Sequence, residues 1–145
     1  MRVLFAGVIN NTKPLFIGDL FSGPGQDANG SAGSPKVLLD YIAGCYFDGL
    51  ELEILFNEMN TEFANSLNSM ISSHDITKKK WVKCTVLNRN YDTLVQQIID
   101  AQKQRERPKY FKRFFFIDPF GYKGTRLNDM LESLLLRQIK LAIMI

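Results

Sequence analysis

Short solid apolar runs alternate along this chain with stretches whose apolar residues recur at helical spacing, and no other feature constrains the fold as strongly. A solid run has no polar face, so as a strand it must be covered on both sides, and the helical stripes supply that cover. The class is therefore α/β, with a mainly parallel sheet and flanking helices. The patterning predicts strands over 15–21, 52–56, 81–87 and 114–117, with a fifth opening over 141–145. Helices are expected where Val37, Leu38, Tyr41 and Ile42 follow Pro35, and where Phe63, Leu67, Met70 and Ile71 follow an N-cap at Asn60. Two more carry Leu94, Val95, Ile98 and Ile99, and then Leu127, Met130, Leu131, Leu134 and Leu135. Gly44 or Gly49 stops the first helix, and Pro119, which cannot donate to a ladder, ends the fourth strand. Residues 3–9 read either as an extra edge strand or as a leader.

At 145 residues, with 46% hydrophobic and 23% charged, the chain can fill the core of one domain and is not globally disordered. No apolar run approaches the roughly 20 residues needed to cross a bilayer, and Asn10, Asn11 and Lys13 stand where a signal-cleavage site would lie. The expected location is cytoplasmic, with no membrane partner. Cys45 and Cys84 are too few and too far apart for a zinc cluster and read as reduced, buried thiols. His74 has no nucleophile motif beside it, which leaves triad hydrolases without support, and GxxxxGK[ST] is absent, which removes P-loop NTPases. The fifth strand runs out with the chain and has no helix to cover it. Such a fold is expected to be truncated, or to have its open edge covered by another chain, a second copy included.

In an open α/β sheet, ligands bind beyond the carboxyl ends of the strands. The first such end reads Asp19-Leu20-Phe21-Ser22-Gly23-Pro24-Gly25. Its glycines let backbone approach a ligand, while the carboxylate four residues earlier is placed to hold a cation or a hydroxyl group. Gly23, Gly25 and Ala28 also satisfy GxGxx[GA], although a dinucleotide site wants its helix to start at the glycines and this loop runs on through Asn29, Gly30, Ser31 and Gly33. A loop without ligand is the plain alternative. Glu58, after the second strand, suits the two hydroxyls of a ribose or else serves as an acidic charge at the next helix. Asn88 and Asn90, after the third, either contact an adenine or cap the helix that follows.

The fourth strand end, Asp118-Pro119-Phe120-Gly121-Tyr122-Lys123-Gly124, is the most specific string in the chain. With Asp19-Leu20-Phe21-Ser22-Gly23-Pro24-Gly25 and Gly33-Ser34-Pro35 it resembles the three-Cys-motif partner protein (TcmP) family, a group of predicted methyltransferases, from Leu15 to the C-terminus. The resemblance implies a Rossmann-like methyltransferase fold that binds S-adenosylmethionine, with a three-Cys-motif protein as partner. Asp19, Phe21, Gly23, Gly25, Glu58 and Asn88 would then bind the cofactor, and Asp118, Pro119, Phe120 and Tyr122 would serve catalysis. Asp118-Pro119-Phe120 is also similar to the [DNS]PP[YF] motif of amino-methylating nucleic-acid enzymes, in which carboxylate and carbonyl accept from the target amine and the ring stacks on an extruded base. It departs from that motif: Phe120 replaces the second proline, and Gly121 falls where the ring belongs. Asp118 read without the motif is a loop or helix cap. The expectation is methyl transfer to an acceptor such as a nucleic-acid amine; the alternatives are a non-catalytic binding or regulatory partner with this fold and, on the GxGxx[GA] match alone, a nicotinamide-dependent oxidoreductase.

Basic residues cluster at Lys103, Arg105, Arg107, Lys109, Lys112 and Arg113, with Tyr110 and Phe111 among them, and again at Lys78, Lys79, Lys80 and Lys83. They read as phosphate contacts for nucleic acid or as solvated charges flanking buried strands. Both clusters precede strands, which puts them at the end of the sheet opposite the expected cleft.

Overall fold

A computed structural model of the chain describes residues 14–45, 51–104, 112–118 and 140–143. Five strands make one wholly parallel sheet: β1 (Leu15–Asp19), β2 (Leu52–Asn57), β3 (Val82–Leu87), β4 (Lys112–Ile117) and β5 (Lys140–Ile143). Three helices lie between them, α1 (Ser34–Ala43), α2 (Thr61–Ser73) and α3 (Tyr91–Gln104), with a 3-10 turn at Asp75–Lys78. The spatial order is β3-β2-β1-β4-β5. The chain therefore moves outward from β1 to β3, then crosses back to lay β4 on the other side of β1. The order reverses between β1 and β4, and there the crevice of a doubly wound sheet opens.

Alternation along the central strands divides the interior into two cores. Leu15 and Ile17 of β1, Ile54 and Phe56 of β2, and Phe114 and Phe116 of β4 pack with Leu38, Leu39, Ile42, Leu67 and Ile71 of α1 and α2. Phe115 and Ile117 face the other way, onto Tyr91, Leu94, Val95 and Ile99 of α3. Helices on both faces are what right-handed crossovers in opposite directions require. Gly18 belongs to this packing, because a Cβ there would lie 2.8 Å from the Phe115 ring. The solid run at Phe114–Ile117 is thus central and covered on both sides, whereas β3, at the sheet's edge, is nowhere fully buried.

Several boundaries and faces differ from the patterning. β1 stops at Asp19 rather than residue 21, because the Asp19 carboxylate accepts the Phe21 N–H at 3.3 Å and turns the chain out of the ladder. In α1 it is Leu39 that is buried, while Val37 is 41% exposed. In α2, Ala64 takes the buried place and Phe63 is 44% exposed. α1 ends at Gly44, and Asn60 caps α2 by accepting the Phe63 N–H at 3.1 Å. Cys45 and Cys84 are free thiols, both half-buried, and burial pushes the Cys84 thiol up to about 11. The expected helix around Leu127–Leu135 and the run at 3–9 lie outside the described residues. No helix among the described residues is long and apolar enough to cross a membrane.

Candidate functional site

At the carboxyl ends of β1, β2 and β3 the connecting loops are tied to one another. Glu58 N–H donates to the Leu87 carbonyl at 3.0 Å, one further rung between β2 and β3, and Ser22 N–H donates to the Asn57 carbonyl at 3.0 Å, one residue beyond the β1–β2 register. Asn57, a buried amide at the last position of β2, reaches both neighbours. Its Nδ2 donates to the Leu20 carbonyl at 3.3 Å and the Arg89 carbonyl at 3.1 Å, and its Oδ1 accepts the Arg89 N–H at 3.2 Å. The patterning signalled polar residues at this strand end but not which of them is structural. That depends on the strand order, which puts β2 between β1 and β3.

Asp19 is 2% exposed. The hydroxyl group it holds is the chain's own: Ser34, the first residue of α1, donates its Oγ hydrogen to Asp19 Oδ2 at 2.9 Å. Ser22 Oγ donates to the Asp19 carbonyl at 3.0 Å. Burial pushes the Asp19 carboxyl up to about 6, against the downward pull of the bonds from Ser34 and the Phe21 N–H. Asp118, at the end of the adjacent β4, adds a smaller upward push by like charge, and Ser22 a smaller pull down. The two carboxylates flank the point where strand order reverses.

The loop from β1 to α1 is shorter in space than in sequence. Gly33 N–H donates to the Gly25 carbonyl at 2.9 Å, and Gln26 bridges Ala32 antiparallel, so residues 26–32 form a closed excursion. Asp27 fills it by accepting from Asn29 N–H at 2.9 Å and Ser31 N–H at 2.7 Å. With the excursion pinched off, Gly25 lies directly against the start of α1. The loop does run on through Asn29, Gly30, Ser31 and Gly33 before α1 begins at Ser34, but the pinch brings Gly25 back to the helix N-terminus, beneath which Asp19 already puts a buried carboxylate. Gly23 and Gly25 adopt φ of 65° and 82°, the left-handed region that only glycine enters without strain.

Glu58 connects the next two elements. Its Oε2 accepts the Gly23 N–H at 2.9 Å and its Oε1 the Asn60 N–H at 2.8 Å, so one half-buried carboxylate is held between the Gly-x-Gly turn and the N-terminus of α2. Each oxygen keeps a further lone pair for a ligand donor. Asn88 uses both amide hydrogens on the Glu58 and Met59 carbonyls, at 2.7 and 2.8 Å, and accepts from Thr61 Oγ at 3.1 Å. It acts on the site by fixing Glu58 and Met59. Asn90 caps α3, accepting from the Asp92 N–H at 2.9 Å. The Phe21 ring packs on Tyr91 with centroids 4.4 Å apart and is part of the second core.

Asp19, Phe21, Gly23, Gly25, Glu58, Asn88 and the half-buried Asp118 thus gather at one end of the sheet. Pro119, Phe120 and Tyr122 lie outside the described residues. Among those described, no three ligating side chains come together as a metal centre. His74 stands elsewhere, at the end of α2, where Nδ1 accepts the Ile76 N–H at 3.1 Å and Nε2 meets Asp40 Oδ1 at 2.9 Å. The lysines before and at the start of β3 are largely engaged: Lys78 pairs with Asp75, Lys79 donates to the Cys45 carbonyl, and Lys83, within β3, pairs with Glu53. The chain matches no family model, no curated protein and no solved structure, so the fold and this geometry carry the functional argument.

Proposed function

We propose that this chain is a methyltransferase of the kind the TcmP resemblance implies, binding S-adenosylmethionine across the carboxyl ends of β1 and β2. The observation that carries the reading is the Glu58 carboxylate, bonded to both Gly23 N–H and Asn60 N–H. It is oriented before any ligand arrives, beside a glycine turn that leaves backbone accessible, and two ribose hydroxyls match its remaining lone pairs. Charge supports a cationic nucleoside over a dinucleotide. Asp19, Glu58 and Asp118 concentrate negative charge at this end of β1, β2 and β4, and Asp19 already answers the positive end of α1, so a pyrophosphate would meet like charge.

When bound, S-adenosylmethionine supplies a methyl group activated by its sulfonium. What the chain contributes is position. Glu58 would fix the nucleoside, Gly23 and Gly25 would let it approach the backbone, and Asp118, on the β4 side of the crevice, would accept a hydrogen bond from an acceptor amine. Calorimetric titration of S-adenosylhomocysteine tests this reading. Glu58→Ala should lose binding at least about tenfold, the scale of a charge-assisted hydrogen bond of about 1.5–3 kcal/mol. Asp118→Ala should retain binding. A folded wild-type chain that binds neither S-adenosylmethionine nor S-adenosylhomocysteine would sink the proposal.

A further inference from the structure

The carboxylates at this end of the sheet are fixed on one frame. Asp19 pairs in register with Phe56 of β2 and Phe116 of β4, and Glu58 and Asp118 each stand two residues beyond those partners, one on either side of it. Asp19 accepts the Phe21 N–H and Glu58 the Gly23 N–H, so both are tied to the backbone of a single turn. Asp118 is close enough to raise the Asp19 carboxyl by like charge. Asp19 is held further by the Ser34 hydroxyl and Glu58 by the Asn60 N–H, which orients these two before a ligand arrives.

Little nearby answers this charge. The N-termini of α1 and α2 each supply about half an elementary charge, against a full one on each ionised carboxylate. Among the described residues, Lys36 near the start of α1 pairs with Asp40 at 2.7 Å, and Arg89, beyond β3, bonds to Gln97 of α3. A ligand in the crevice therefore meets a field of one sign, built from groups that need not reorganise. S-adenosylmethionine and S-adenosylhomocysteine are ligands that such a field separates, because they differ by one methyl group and the positive charge of the sulfonium. The contacts to ribose and base are common to both.

We infer that Asp19 and Asp118 make the site selective for the cationic form of its cofactor, so that losing the sulfonium charge in methyl transfer loosens the spent cofactor and drives its release. The inference deepens the proposed function and rests on it. Its test is calorimetric titration of the full chain with both compounds, read as the ratio of their affinities, in which the shared contacts cancel. Near pH 7, Asp19→Asn and Asp118→Asn should each lower the preference for S-adenosylmethionine about threefold or more, while affinity for S-adenosylhomocysteine holds within about twofold. Asp75→Asn, which removes a carboxylate ahead of β3 at the opposite end of the sheet, should leave the ratio unchanged. Burial raises the Asp19 carboxyl to about 6, so at pH 6 the arriving sulfonium should expel part of a proton from it to the buffer. Titrations in two buffers of different ionisation enthalpy should show that release with S-adenosylmethionine, less of it with S-adenosylhomocysteine, and none with Asp19→Asn. A ratio that ignores both Asp19→Asn and Asp118→Asn, or that Asp75→Asn lowers as much, would overturn the inference and leave the cofactor reading standing. A folded chain that binds neither compound would overturn both.

Discussion

Asp19 does two things that oppose each other. Its carboxylate organises the first loop by accepting from the Phe21 N–H and the Ser34 hydroxyl, and it does so at 2% exposure, where ionisation is costly. The result is a carboxyl raised from 3.8 to about 6. Between those values the folded chain binds more protons than the unfolded one, so stability falls as pH rises from about 4 to about 6, by up to about 3 kcal/mol. In the Asp19→Asn variant the amide oxygen would still accept the Phe21 N–H, and the amide hydrogens could donate to Ser34 Oγ without any charge. Urea titrations at pH 4 and pH 7 should therefore show a larger difference for the wild type than for Asp19→Asn. Equal differences would mean that Asp19 ionises in the fold as freely as in water. The sequence marked Asp19 through its distance from the glycines. It did not mark Ser34 as the partner, because fifteen residues separate them and only the pinched excursion brings them together.

At the scale of elements, the loop from β1 to α1 separates two uses of glycine. Gly23 needs only its left-handed backbone, since a Cβ there would meet nothing within 4 Å. Gly25 needs that backbone and the absence of a side chain, because a Cβ would lie 2.5 Å from Met70 Cε and 3.0 Å from Leu67 Cδ1 of α2. Gly23→Ala should cost about 1–2 kcal/mol from the left-handed strain alone. Gly25→Ala should cost more by about 0.5–1.5 kcal/mol, as the ends of the Met70 and Leu67 side chains leave their preferred rotamers to relieve the overlap. Chemical denaturation of the two variants side by side checks the order; equal costs would mean that Met70 and Leu67 move aside freely. The helices themselves were legible: Pro35, Asn60 and Asn90 marked their starts, and Leu38, Ile42, Leu67, Ile71, Leu94 and Val95 their buried stripes. Val37 and Phe63 were misassigned to those stripes, because periodicity reports an apolar residue at the right angle without reporting whether a neighbour reaches it.

Across the whole molecule, the sheet insulates one core from the other. Ile42 of α1 packs with α2 and one face of the sheet, and Leu94 of α3 with the opposite face. Ile42→Val should cost about 1 kcal/mol and Leu94→Ala about 2–5 kcal/mol. Without a shared cavity or partner, the double variant should equal their sum within about 0.5 kcal/mol in equilibrium unfolding, and a larger departure would mean that strain passes through β1 and β4. Charge is also divided along the sheet. Carboxylates gather where β1, β2 and β4 end, Arg89 stands beyond β3, and the lysines at the opposite end of β3 are largely paired or bonded.

By itself the sequence determined the α/β class, the places of the strands, the helix starts and the polar residues at each strand end, because these follow from local patterning and backbone chemistry that need no distant partner. Only the tertiary structure decided that β1 lies between β2 and β4, that Glu58 closes onto Gly23, that Asn57 joins three strand ends, and that the Arg89 side chain bonds to Gln97 of α3. Each of those depends on residues far apart in the chain meeting across parallel strands, and hydrophobic spacing, which sets what a segment becomes, leaves open which segment will be its neighbour.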